Sequence, residues 1–262
     1  MSLYDCFTYN NEDLILDIRL NYLNDKVKKF VISESKYTHQ GREKKTLFNI
    51  NNFSKFKHKI IYLLIENFPP NFSNWERENY QRNYLTNAFS QIQDDDHIMI
   101  SDLDEIPNLE NLHNFLNNKF VVFEQNNYSY KFNLLNISYP KWYGTRLCKK
   151  KFLISPQWLR NQKIKKYSFF KFYKIKWNIV KDGGWHFSYL MTPEQIKNKI
   201  ESFGHAEFNK DIFKDIKTIE EKIKSGLDLF NRDQKYNKVI IDQSFPSIIR
   251  NNKDLYEDWI LS

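Results

Sequence analysis

Two aspartates one residue apart, Asp102 and Asp104, stand inside the run His97-Ile98-Met99-Ile100-Ser101-Asp102-Leu103-Asp104-Glu105-Ile106-Pro107. Ile98 to Ile100 read as an interior strand of an α/β sheet, because a continuous apolar run closed by an acidic, Pro-bounded turn is the pattern of a strand covered on both faces. The two carboxylates are then expected at its C-terminal end. With the backbone extended through Leu103 they would share a face, roughly 7 Å apart. Carboxylate oxygens suit Mg²⁺ or Mn²⁺, and ligands of such sheets bind beyond the carboxyl ends of the strands, so a metal-bound phosphate is the natural occupant. Asp94 and Asp96 make a second Asp-x-Asp just upstream, which reads as a solvated turn.

Two further stretches carry chemistry. Trp75-Glu76-Arg77-Glu78-Asn79 opens a helix, with Gln81, Arg82 and Asn83 crowded into the same region; Arg77 and Arg82 are bidentate donors suited to phosphate or carboxylate. Glu78 and Arg82 are four apart and fit an ordinary helix-surface ion pair. In Lys181-Asp182-Gly183-Gly184-Trp185-His186-Phe187-Ser188-Tyr189, two glycines are flanked by an acid, a ring platform and a metal-capable imidazole. The spacing by itself predicts a tight hairpin.

These residues need a scaffold, and the pattern supplies one. Strands are predicted over 3–9, 29–35 and 59–66. A helix capped at Asn10 to Asp13 follows the first, and one capped at Ser73 or Asn74 and running through Ile92 follows the third, so the sheet is expected to be mixed and mainly parallel with right-handed crossovers. Beyond the acidic turn, a helix is predicted from about 108 to 117, strands over 120–124, 128–133 and 168–179, and an aromatic, basic loop over 139–146. Thr192-Pro193-Glu194-Gln195 has the form of a capping box with Pro at the first helical position; the helix should bury Ile196, Ile200 and Phe203 and close at Gly204, with an amphipathic segment at about 210–225. One domain over 1–262 is expected, 1–107 forming the phosphate-binding half and 108–262 the second half with the C-terminal helices.

The 262 residues are 41% hydrophobic and 17% aromatic with a net charge of +8. That charge suits phosphorylated ligands, anionic surfaces or nucleic acid without selecting among them. Cys6 and Cys148 have no metal-ligand spacing, so reduced thiols are expected and a disulfide framework is not. No stretch approaches the roughly 20 apolar residues of a membrane span. The chain opens directly on the strand Leu3 to Tyr9, from which a soluble, cytoplasmic protein is expected, and the sequons at Asn52, Asn71 and Asn136 read as accidental.

The chain resembles the family 17 glycosyltransferases, the β-1,4-mannosyl-glycoprotein 4-β-N-acetylglucosaminyltransferase-like enzymes. The resemblance lies in Tyr4-Asp5-Cys6-Phe7 with Asn11-Glu12, Phe30 to Ser35, Trp75 to Asn83, Ser101 to Pro107 and Gly183 to Tyr189, in the family's order. It implies a GT-A type nucleotide-sugar-binding fold, a UDP-sugar donor, Mn²⁺ (or Mg²⁺) on the Asp-x-Asp motif and inversion at the anomeric carbon, with N-acetylglucosamine as the expected sugar and a glycan hydroxyl as acceptor. On that reading Asp102, Asp104 and His186 are the metal ligands, and Glu34, Arg77 and Arg82 join the two aspartates in binding the nucleotide sugar. Trp75, Glu76, Trp142 and Trp185 face the sugars, and Asp182, then Glu207, is the candidate general base. The animal members carry a membrane anchor ahead of the catalytic domain, and the direct opening on a strand favours a cytoplasmic enzyme of bacterial or viral surface-glycan synthesis. Two other classes remain in view. One is a basic, aromatic-rich single-stranded nucleic-acid binder with steep salt dependence and no need of metal. The other is a glycan-binding module without catalysis, against which the retained aspartates argue.

Overall fold

The structure, a computed structural model, describes residues 1–165, 174–202 and 208–262. In chain order the first elements are β1 (Leu3–Thr8), α1 (Asp13–Leu23), β2 (Lys29–Ser35), β3 (Ile60–Ile65), α2 (Asn74–Tyr84) and β4 (His97–Asp102). Then come β5 (Glu105–Pro107), β6 (Phe120–Ser129), β7 (Leu134–Asn136), β8 (Lys141–Lys149) and α3 (Pro156–Asn161). The described chain ends with β9 (Asn178–Val180), β10 (Gly184–Ser188), α4 (Pro193–Ser202), α5 (Ile216–Lys224), β11 (Tyr236–Lys238) and α6 (Ser247–Arg250).

One mixed sheet runs β11-β7-β6-β8-β4-β1-β2-β3, with β5, β9 and β10 attached beside β6. β3, β2, β1 and β4 are mutually parallel neighbours in the order 3-2-1-4. The chain first moves outward from β1 and then returns to its other side, so β1 and β4 flank the point where the strand order reverses, and the crevice at their carboxyl ends is where such sheets take ligands. From β4 the sheet continues antiparallel through β8 to β6, which joins the two halves of the sequence in one hydrogen-bonded layer. The interior strands are buried on both faces, as their unbroken apolar runs require: Cys6, Phe7, Val31, Ile32, Ile98, Met99 and Ile100 are all fully enclosed. Among the described residues no helix is long and apolar enough to cross a membrane.

Several expectations are corrected here. The backbone does not stay extended through Leu103: β4 ends at Asp102, and Leu103-Asp104 form a turn into β5, so the two aspartates flank a turn instead of sharing one strand face. No α-helix forms over 108–117, only a short turn of 3₁₀ helix at Leu112–Asn114. Four asparagines crowd this segment, and the Asn108 side chain accepts from the Glu110 amide, the local alternative to helix that such side chains offer. The two short strands expected at 120–133 are one ten-residue strand, β6, kinked by a register shift between Val122 and Glu124. The aromatic segment 139–146 is mostly strand, β8, inserted between β4 and β6. Of the strand expected over 168–179, residues 166–173 lie outside the described residues, and β9 begins at Asn178.

The double glycine is not a hairpin. β9 and β10 both run parallel to β6, one after the other, and residues 181–183 form a kink between them. Gly183 donates to the Glu124 carbonyl at 2.7 Å. Gly184 has φ +133, and a Cβ there would meet the Ile106 carbonyl oxygen at 2.1 Å. Only glycine lets β10 pass this close to β5. The Thr192 capping box forms as expected, with Gln195 N to Thr192 Oγ1 at 3.3 Å and Thr192 N to Gln195 Oε1 at 3.0 Å, and Ile196 and Ile200 are buried. Phe203 and Gly204 lie outside the described residues.

Candidate active site

A polar cleft of about 260 Å³ opens at the carboxyl ends of β1, β2 and β4. Its walls are Thr8, Tyr9 and Asn10 after β1, Tyr37 to His39 after β2, Glu78, Gln81 and Arg82 of α2, the acidic turn Asp102 to Asp104, and His186 with Lys199 from the later half of the chain.

The acidic turn is held from beneath by a buried arginine. Arg19 of α1 has no solvent exposure and pairs with the equally buried Asp5 of β1 at 2.7 Å. Its Nη1 donates to the carbonyls of Asp102 (3.3 Å), Leu103 (3.1 Å) and Glu105 (2.7 Å), while Nη2 also reaches Ser101 Oγ at 2.9 Å. The planar fork of donors thus fixes the backbone on both sides of Asp104.

Above the turn, Asp102 is clamped between two guanidinium groups, Arg82 on Oδ1 and Arg160 of α3 on Oδ2, each at 2.9 Å. Burial alone would raise its carboxyl group, but Arg160 and Arg82 outweigh that effect and hold it well below the ordinary carboxylate range. Arg160 also grips the buried Glu105 in bidentate fashion, at 2.7 and 2.8 Å, and Glu105 Oε1 accepts from Trp142 Nε1 at 2.7 Å.

Asp104 has no arginine. Burial raises its pKa, with His186 and Lys199 pulling the other way. Its Oδ1 lies 3.7 Å from His186 Nε2. His186 Nδ1 is 3.0 Å from Asn127 Oδ1, which can only accept, so Nδ1 carries a proton; Trp142 stacks on the ring at 4.9 Å. In that tautomer Nε2 is the ring atom left to face the Asp104 carboxylate and to offer a lone pair to a metal ion. Two acceptor atoms facing each other across the cleft wall fit a shared cation, and Mg²⁺ and Mn²⁺ are commonly held by one or two protein groups plus substrate phosphates. Among the described residues no cluster of three or more His, Cys, Asp or Glu side chains is arranged to hold a metal by itself. Lys199 of α4 crosses the same wall to Glu12 at 2.8 Å. Burial would lower the Lys199 ammonium, but Glu12 and Asp104 outweigh it and raise its pKa.

His186 also borders a second, larger cavity of about 890 Å³. Trp142, Tyr143, Tyr189 and Phe230 give it aromatic walls, and Arg146 and Arg160 are at its base. Trp142 is 41% exposed, so its ring is available to a ligand there.

Of the sequence candidates, the structure brings Asp102, Asp104, Arg82 and His186 to the first cleft and Trp142 to the second cavity. The other candidates among the described residues line neither. Glu34 is fully buried and spends its carboxylate on the Leu47 and Phe48 amides, the Tyr62 hydroxyl and Lys44, fixing the segment that follows β2. Glu76 is the capping partner of Ser73 at the exposed start of α2, and neighbouring Trp75 lines neither cavity. Arg77 donates to the His39 carbonyl at 3.0 Å, so it shapes the loop after β2 and lines neither cavity. Trp185 is buried, edge-on to Tyr22 and hydrogen-bonded to the Ser244 carbonyl, and is therefore a core residue and not a sugar platform. Asp182 is 81% exposed and pairs with Lys141, on the walls of neither cavity, because the kink at 181–183 leaves it at the far end of β10 from the site. Glu207 lies outside the described residues.

Arg19, Glu105, Asn127, Arg160 and Lys199 are the site residues the sequence reading missed. Arg19 left a signal: a charge on the face of α1 that carries Ile15, Leu16 and Ile18 needs a buried partner. Arg160 left none, since nothing in the sequence brings α3 to β4.

The strand order, the reversal between β1 and β4 and the charged crevice at their ends make this a mixed α/β protein whose sheet is consistent with a Rossmann-like fold. The sequence profile described as "Glycosyltransferase family 17" matches residues 1–240. The chain belongs to that family. It is 32% identical over 108 residues to the human beta-1,4-mannosyl-glycoprotein 4-beta-N-acetylglucosaminyltransferase and to that of Rattus norvegicus, covering 37% of this chain and 20% of each relative. The match therefore spans about a fifth of the length of those relatives. Among solved structures, the 2-C-methyl-D-erythritol 4-phosphate cytidylyltransferase of Francisella tularensis is similar at 11% identity and a TM-score of 0.38, covering 69% of this chain and 90% of that one.

Proposed function

We propose that this chain transfers a sugar, N-acetylglucosamine as the named relatives do, from a UDP-sugar held in the cleft after β1 and β4 to a glycan hydroxyl held in the aromatic cavity, with inversion. The observation that carries this reading is the position of His186, which lines both cavities and faces Asp104 at 3.7 Å. A donor diphosphate in the first cleft and an acceptor in the second would meet at that wall, and bringing the two together in one geometry is where transferases gain much of their rate.

Asp104 and His186 are the pair we assign to a divalent cation. Asp102 already has both oxygens on guanidinium groups, so its part in the cation site requires releasing an arginine contact; its part as it stands is to fix Arg82 and Arg160. When bound, Mn²⁺ or Mg²⁺ would neutralise charge on the departing diphosphate. Arg82 and Lys199 on the same walls add fixed positive charge where the leaving group develops its negative charge. Of the two carboxylates the sequence offers as general base, Glu207 is the one kept in this proposal.

The test is thermal shift and hydrolysis across a panel of nucleotide sugars with and without Mn²⁺. Stabilisation selective for UDP-sugars and dependent on the cation is the expected result; no response to any member of the panel would end the transferase reading.

A further inference from the structure

Arg146 of β8 is a buried cation without a carboxylate partner among the described residues. It is 8% exposed and lines the larger cavity. Charged side chains so enclosed are almost always paired, because an isolated buried charge is costly. Arg19, Arg82 and Arg160 all follow that rule, with carboxylates at 2.7 to 3.1 Å. Among the described residues Arg146 forms no salt bridge. Its Nη1 donates to the carbonyls of Leu159 and Arg160, its guanidinium lies 5.4 Å from the centre of the Trp177 ring, and its Nε has no hydrogen-bond partner although it is sealed from solvent. The carboxylates that act on it, Glu105 and Asp102, are already bonded to Arg160.

The surroundings point the same way. Among the described residues the lining of this cavity contains Lys141, Arg146, Arg160 and Arg232 and no Asp or Glu. The carboxylates that balance Lys141, Arg160 and Arg232, namely Asp182, Asp102 with Glu105, and Asp228, are themselves absent from that lining. A neutral sugar could accept hydrogen bonds from these cations but would leave their charge unbalanced, whereas a carboxylate or phosphate would supply the missing charge by charge-assisted hydrogen bonds.

We infer that the larger cavity binds an acidic sugar, one carrying a carboxylate or phosphate, with its anionic group directed to Arg146. The inference rests on the reading of this cavity as the acceptor side and narrows the acceptor class. Burial, followed by the neighbouring Arg160, lowers the Arg146 pKa to about 10, the direction expected of a cation lacking its counter-charge.

Binding of glucose, glucuronic acid and glucose 6-phosphate to the full chain, in the presence of UDP and Mn²⁺, tests it. The acidic sugars should bind at least about tenfold more tightly than glucose, with an advantage that shrinks as salt is added. Preference for glucuronic acid assigns a carboxylate, and preference for glucose 6-phosphate a phosphate. Arg146→Gln should level the acidic and neutral sugars; Arg232→Gln, at a position 40% exposed and safer for folding, should reduce the gap in part. Equal binding of glucose and the acidic sugars by the wild-type chain overturns the inference, as does an undiminished preference in folded Arg146→Gln. UDP-sugar thermal shifts run alongside separate the two readings. UDP-sugar stabilisation without anion preference removes only the acidic acceptor. Anion preference without UDP-sugar stabilisation keeps the acidic ligand and removes the transferase.

Discussion

Arg19 and Asp5 form an ion pair at 2.7 Å with neither side chain exposed, and the same guanidinium holds three backbone carbonyls of the acidic turn. The pair therefore serves stability and site geometry together, and the two roles can be separated. Arg19→Met strands a buried carboxylate and should lower stability by about 3–5 kcal/mol. Adding Asp5→Leu removes the stranded charge and should recover much of that loss, since buried pairs replaced by apolar groups are often close to neutral. Recovery of folding should not restore nucleotide binding, because the carbonyls of Asp102, Leu103 and Glu105 still lack their donor. Urea unfolding and UDP-sugar titration of the single and double variants read the two quantities. Nucleotide binding that returns in step with stability would reduce Arg19 to a packing residue.

The Asp104–His186 pair predicts how the cation responds to substitution. Asp104→Asn and His186→Ala should each raise the Mn²⁺ concentration needed for half-maximal UDP-sugar hydrolysis. Asn127→Ala, which removes the partner of the far ring nitrogen of His186 at 3.0 Å together with a hydrogen bond to the Tyr139 carbonyl, should raise it by a smaller factor of about 10. Asp102→Asn should instead reduce turnover with less change in Mn²⁺ requirement, since its carboxylate is bonded to Arg82 and Arg160. Titrating Mn²⁺ against rate for the four proteins distinguishes the roles; an Asp102 variant with the largest shift in cation requirement would return that residue to the metal.

Much of the parallel half was legible in the sequence for a physical reason. Interior strands flanked by helices carry their signal locally: apolar runs at 29–35 and 97–102, a capping box at Ser73, another at Thr192. Asp102 and Asp104 were legible as cleft residues because an acidic pair closes an interior apolar run, whereas His186 was singled out through the family resemblance. What was lost depends on partners distant in the chain. Trp142 to Arg146 read as a loop because aromatic and basic residues also suit an exposed segment, and only pairing with β4 and β6 makes them a strand. Gly183-Gly184 read as a hairpin since two glycines permit one. Their actual reason, the approach of Ile106 and Glu124 backbone, comes from elements 60 to 80 residues away. Arg160 and Lys199 enter from helices whose docking no local pattern encodes.

Asp182 and Glu207 separate cleanly by experiment. Asp182 is exposed, its carboxyl is held below the ordinary value by the hydrogen bond from Lys141, and it lines neither cavity. Asp182→Asn should leave transfer within about twofold of wild type, the effect of losing one surface ion pair being small. Glu207→Gln, if Glu207 is the general base, should lower turnover by about 100-fold or more while donor binding persists. Steady-state rates of both variants, with donor affinity measured separately, decide the matter; a severe loss in Asp182→Asn would require this residue to reach the acceptor by a rearrangement of the kink.

Alkaline pH should destabilise the fold earlier than an ordinary surface would suggest. Burial raises the Cys148 thiol from 9.0 to about 12, and the phenols of Tyr22, Tyr128 and Tyr189 from 10.0 to about 12. In each case the folded chain keeps its proton where the unfolded chain has lost it. The folded state thus binds more protons than the unfolded one between about pH 9 and 12, and stability must fall as pH rises through that window. Arg146, with its pKa lowered to about 10, acts in the opposite sense over the upper part. Cys148→Ala should weaken the onset near pH 9, to which the equally buried Cys6 thiol, also raised, still contributes, and should leave the phenolic part unchanged. Urea unfolding at intervals across this range, with tyrosinate absorbance recorded on the folded protein, tests the assignment. Phenols that ionise in the folded chain near pH 10, or stability that stays level to pH 12, would contradict it.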